Sequence, residues 1–80
     1  MSKTYRHAET PEALKGEYVV GRHWNSFDGD FLKEWDAEHG AVFTGIGGAR
    51  SFSTHSEAVG AAIRCKSLFP EFRFDVGVAQ

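Results

Sequence analysis

The chain is poor in the residues that announce a chemistry. A single cysteine among 80 residues excludes an internal disulfide framework. Together with four dispersed histidines it gives no standard zinc-ligand spacing. Proline is scarce, two against nine glycines, so the sequence favours tight turns and bulges over linkers. The longest stretch without a charge, residues 40–49, includes four glycines. A membrane helix needs about 20 apolar residues, so none is expected. The first sixteen residues hold no apolar run, so no secretory leader is expected, and a reducing cytoplasm is the expected compartment. Basic excess is also missing. Nine Lys and Arg against eleven Asp and Glu leave a net charge of −2, whereas nucleic-acid modules draw most of their affinity from phosphate contacts.

Aromatic residues, by contrast, are plentiful: seven Phe, two Trp and two Tyr. Eighty residues allow one domain, below the usual mode of about 100–150 residues, and a few large side chains can fill so small a core. Charged residues at 25% and apolar residues at 41% argue against wholesale disorder. The negative charge is concentrated. Residues 28–40 carry Asp28, Asp30, Glu34, Asp36 and Glu38 against Lys33 alone.

Residues 1–9 read as a polar, frayed tail. Residues 10–16 read as one helical turn, with Thr10 as cap, Pro11 at the first helical position and Gly16 closing it. Residues 17–24 read as a strand, with Tyr18, Val20, Arg22 and Trp24 on one face and Val19, Gly21 and His23 on the other. Asp28-Gly29 is the expected pivot of the next turn. Residues 30–36 fit a strand better than a helical turn, and alternation would set Phe31, Lys33 and Trp35 opposite Asp30, Leu32, Glu34 and Asp36. Residues 41–46 look like another strand, interrupted by glycines and resumed or replaced at 49–53. Thr54-His55-Ser56-Glu57 fits a capping box, with the Glu57 side chain returning to the Thr54 amide. Ala58, Ala61, Ala62, Cys65, Leu68 and Phe69 follow at helical spacing until Pro70 ends the helix. In residues 71–79, Phe72, Phe74, Val76 and Val78 alternate with polar or small residues, which predicts a strand with one core face.

The expected fold is α+β: a small, mainly antiparallel sheet of three to four strands, one amphipathic helix on one face and a short N-terminal helical turn, all in a single domain. The expected core comprises Tyr18 or Val19, Phe43, Phe52, Ala58, Ala62, Cys65, Phe72, Phe74, Val76 and Val78.

No residue set points to catalysis. His7, His23, His39 and His55 share no flanking pattern and read as unrelated surface histidines. Cys65 sits on the apolar stripe and reads as a core thiol. Gly45-x-Gly47-Gly48 precedes a strand-like Ala-Arg-Ser-Phe, not the helix start of a phosphate loop. Asp28-Gly29-Asp30 lacks the further ligands of a calcium loop. No cofactor and no metal are expected. In the acidic segment, carboxylates interleave with Phe27, Phe31 and Trp35, the mixture of aromatic anchor and charged rim that a protein interface uses.

The run from Ala49 through Phe52, the Thr54-x-x-Glu57-Ala58 helix start and the strand ending at Val78 resembles many small phage and mobile-element proteins, among them anti-CRISPR inhibitors. That resemblance implies a non-catalytic protein that binds a Cas protein or complex. The expected function is therefore an inhibitor that blocks a basic, nucleic-acid-handling surface of a protein partner through Asp28, Asp30, Glu34, Trp35, Asp36 and Glu38, with no direct nucleic-acid or membrane contact. A homodimer is left open. The alternative is a small nucleic-acid-binding or regulatory module using Arg22, Trp24 and Arg50.

Overall fold

The computed structural model describes residues 4–11, 17–25 and 28–79. Five strands form one sheet: β1 (Tyr5–His7), β2 (Glu17–His23), β3 (Gly29–Asp36), β4 (Gly40–Thr44) and β5 (Arg73–Ala79). Their spatial order is β1-β5-β2-β3-β4, and every neighbouring pair is antiparallel. Among the described residues one helix, α1 (His55–Leu68), packs on one face, and one 3-10 turn spans Ile46–Gly48. The α+β class is as expected, with more strands than expected.

The alternation of β2 and β5 sorts the sheet into two faces, as the sequence indicates. Tyr18 and Val20 pair with Val78 and Val76 and point toward α1. They meet Ala58, Ala61 and Cys65, all buried on the helix stripe. The alanines have no long side chain to hold the helix away from the sheet, so the backbones approach closely. Thr54 caps α1: its hydroxyl oxygen accepts from the Glu57 amide at 3.1 Å. The Glu57 carboxylate accepts from that same hydroxyl at 3.0 Å, where the sequence predicts a bond to the Thr54 amide. At the far end Phe69 turns inward against Phe43, whereas Leu68 stays 45% exposed and is no part of the core stripe.

Four further expectations need correction or limits. The N-terminal tail is not frayed throughout, because residues 5–7 form β1 on the outer edge of β5. The Tyr5 ring lies over Gly77, where any side chain would collide with it, and the Tyr5 hydroxyl donates to Asp75 at 2.6 Å. The predicted helical turn at 10–16 falls mostly outside the described residues. Residues 49–53 form no strand: Phe52 makes an isolated bridge to Tyr18, and the Arg50 amide donates to the Leu32 carbonyl at 2.8 Å. That segment closes the gap where β3 peels away from β2.

The fourth correction is in β3. Leu32 lies opposite Phe43, but Glu34 lies opposite Val42, so Lys33 is an extra residue, a β-bulge. The bulge shifts the phase of alternation by one. Leu32 and Trp35, assigned to opposite faces by strict alternation, both reach the core, Leu32 with 0% exposure. Glu34 and Asp36 are left on the face away from α1.

Candidate functional site

The acidic segment does not form one surface. Asp30 lies opposite Arg22 in the β2–β3 ladder and receives two bonds from its guanidinium, 2.8 Å from Nε and 2.6 Å from Nη2. That guanidinium also lies 3.9 Å over the Phe43 ring and 4.9 Å over the Phe72 ring. Asp28 accepts from the Asn25 side-chain amide at 2.8 Å. Trp35 packs against the core under the Arg64 guanidinium, 4.0 Å from the ring centroid. Asp36 holds the β3–β4 turn by accepting from the His39 amide at 2.8 Å and lying 2.7 Å from its Nδ1. Those two bonds, the amide first, hold its carboxyl below the usual carboxylate range. Glu34 and Asp36 stand opposite Val42 and Gly40 at the end of β3, and Glu38 lies in the turn that follows.

Of the alternative set the structure brings Arg22 and Trp24 together, the guanidinium 5.6 Å from the indole ring, and sets Arg50 on the crossing segment. Arg22 is engaged by Asp30. Trp24 is 51% exposed and stands edge-on to Phe72. Arg50 lies 5.5 Å over Phe52 on the crossing segment.

The face of the sheet away from α1 holds a constellation that sequence reasoning missed. Asp75, opposite Gly21, takes the Tyr5 hydroxyl and lies 2.7 Å from His23 Nε2 on the same oxygen. His7 Nδ1 stands 3.3 Å from its second oxygen. Two of the four histidines therefore converge on one carboxylate. Burial, then the bond to Asp75, raises the Tyr5 phenol well above its ordinary range. Glycines make the room. A Cβ on Gly21 would fall 2.9 Å from His23 Nε2 and 3.0 Å from Asp75 Oδ1. Glycines sharing one face with a lone Asp and a His are the signal that could have found this cluster. Its bonds close on one another and tie β1 to β5 and β2. Among the described residues no group of His, Cys, Asp and Glu has the arrangement to hold a metal ion. The remaining nucleophile, Cys65, is fully buried, and burial pushes its thiol up to about 11.

Neither a protein-family model, nor a curated protein, nor a solved structure matches the chain. Geometry alone therefore directs attention to the outer edge of β5. β1 covers only Gly77–Ala79 of that edge, and the Ala8 amide extends the cover by donating to the Val76 carbonyl at 2.9 Å. In an antiparallel ladder alternate residues turn both main-chain groups to the same side. With Val76 facing outward, Phe74 does so too, whereas Phe72 lies in the bend before the strand and its amide donates to the Phe69 carbonyl at 3.2 Å. The Phe72 carbonyl is taken by Lys66 Nζ at 2.7 Å. Between these two stoppers lies Phe74, and no described strand runs along its outer side.

A groove of about 560 Å³ follows this open edge. Ala8, Phe74 and Val76 line its sheet side, and Val59, Ala62 and Ile63 of α1 line the other. Ile63 is 66% exposed, the most exposed of the large apolar side chains described. Arg73, Asp75, Lys66 and Glu9 border the groove with charges of both signs. An unpaired strand edge beside exposed apolar side chains is the arrangement that receives an added strand. No helix among the described residues is long and apolar enough to cross a membrane.

Proposed function

We propose that this protein is a non-catalytic interaction module that pairs an extended protein segment with the outer edge of β5. The observation that carries the reading is the open Phe74 position flanked by the Ile63 groove. Main-chain bonds to Phe74 would supply attachment, and apolar side chains of the incoming segment would enter beside Val59 and Ile63. Selection of short random peptides displayed on phage against the immobilised chain tests this. Enriched peptides should carry alternating apolar residues and perturb the amide resonances of Phe74 and Val76. They should lose binding to Ile63→Lys. Enriched peptides that perturb another surface, or that bind Ile63→Lys unchanged, overturn the reading.

A second reading keeps the expected basic partner, such as the nucleic-acid-handling surface of a Cas complex. It is favoured by the placement of Glu34, Asp36 and Glu38 at the end of β3 and in the turn that follows. Asp30 and Trp35 contribute little to it, since Arg22 and Arg64 occupy them. Glu34→Lys with Glu38→Lys should abolish capture of a purified Cas surveillance complex without unfolding the chain. Unchanged capture, or none by the wild-type chain, would remove this reading.

A further inference from the structure

We infer that the strand received at this edge is β5 of a second copy of this chain, paired antiparallel about Phe74 to give a two-fold dimer with a continuous sheet. The inference rests on reading the groove as a strand-pairing site and names its occupant.

The first argument is the shape of the open window. Two residues either side of Phe74 the main chain is already engaged, at Val76 by Ala8 on the outer side and at Phe72 by Lys66 and Phe69 in the bend before the strand. The window is thus symmetric about one residue. An isologous interface places its axis at such a point, because each copy must present to the other what the other presents to it. With the axis at Phe74, the two Phe74 residues exchange both of their main-chain bonds. Residue 72 of the incoming copy would face the position taken by Ala8. That residue precedes the strand, which begins at Arg73, so the second chain can bend away before the obstruction.

The second argument is charge. Antiparallel pairing about residue 74 sets Arg73 opposite Asp75 of the second copy, and Asp75 opposite its Arg73. Both side chains belong to the face away from α1, so each copy gives and receives one opposite-charge cross-strand pair. A parallel pairing, or one shifted by two residues, loses this match. Asp75 retains room for it: one of its oxygens takes both Tyr5 and His23, and the contact shown for the other among the described residues is His7 at 3.3 Å.

The third argument is the other face. The same axis brings the two helices side by side over the extended sheet. Ile63 and Val59 would then meet their counterparts in the second copy, covering the most exposed of the large apolar side chains described.

Sedimentation velocity across a concentration series tests the proposal on the intact chain. The expected result is a reversible monomer–dimer equilibrium. Arg73→Glu turns both cross-strand pairs repulsive and should weaken it by about tenfold or more. Ile63→Lys should do the same, and both variants should keep the wild-type circular dichroism spectrum. Hydrogen exchange supplies a readout that does not depend on any variant: protection of the Phe74 amide should rise with protein concentration, while that of Val42 in β4 stays constant. A chain that remains monomeric throughout overturns the proposal. So does a dimer that is indifferent to both substitutions and leaves Phe74 unprotected. If the chain is monomeric yet a selected peptide protects Phe74, the strand-pairing site stands and only its occupant is wrong. If neither protects Phe74, both fall.

Discussion

The two flanks of the sheet answer the same problem differently. On the β3–β4 flank nearly every conspicuous group is engaged within the chain. Arg22 and Asp30 clasp each other, Arg64 covers Trp35, and residues 50–52 fill the gap that opens between β2 and β3. On the β1–β5 flank a three-residue strand covers less than half of its neighbour and leaves Phe74 open beside Ile63. The flank with the denser charge is the one whose side chains are the more engaged, although no described strand runs along the outer edge of β4. Charge density along a chain therefore marks where cross-strand pairs form as readily as where a partner binds.

Four substitutions and one titration would break or sharpen this contrast. Leu32→Ala, at the centre of the closed flank, should cost about 2–5 kcal/mol, as for other buried Leu truncations, read as a fall in the urea midpoint. Asp30→Ala comes next, at about 1.5–3 kcal/mol, since it leaves the half-buried Arg22 guanidinium without its carboxylate. A loss below about 0.5 kcal/mol would mean that the Arg22–Asp30 clasp is ornamental and Asp30 is free to serve a partner. Gly77→Ala drives a Cβ into the Tyr5 ring and to 2.6 Å from the Arg6 carbonyl. It should cost about 1–3 kcal/mol and strip hydrogen-exchange protection from β1 while sparing β3 and β4.

The titration concerns the shared core. The Cys65 thiol is raised from 9.0 to about 11 on folding, with burial the largest cause. The folded chain thus holds this proton more tightly than the unfolded chain does. The stability linked to it is complete below about pH 9 and is lost as the pH climbs toward about 11. Cys65→Ala should flatten the decline of the urea midpoint across that interval. An equal decline in both proteins would show that the thiol does not contribute. The smallest effect belongs to the open flank. Ile63→Ala should change the stability of the monomer by less than about 0.5 kcal/mol, because the side chain is already in water.

Much of the fold was legible where a local rule suffices. Thr54 and Glu57 mark the start of α1, Pro70 its end, and the alternation of Phe74, Val76 and Val78 orients β5. The faces of β2 were readable for the same reason. What failed were features that depend on distant partners. Three residues of β1 show no periodicity of their own, and their ladder lies about seventy positions away, at Ala79. The bulge at Lys33 cannot be seen by counting, because counting assumes an unbroken pleat; it moved Trp35 from the expected interface to the core. The Asp75 cluster needed Tyr5, His7 and His23 to be brought to one carboxylate, which only the strand order does. The open edge at Phe74 was hidden for a related reason. It is defined by where β1 stops and where Lys66 reaches, and neither is written near Phe74.

The position of β5 bears on how the molecule is assembled in time. It follows every other element along the chain, yet lies between β1 and β2 and joins them. Until residues 73–79 arrive, β1 has no ladder and the helix lacks half of the surface it packs on. A growing chain can close the β2–β3–β4 meander early, but Tyr5 cannot reach Asp75 before nearly the whole sequence exists. Such long-range closure should slow folding relative to a helical bundle of the same length, whose contacts are local.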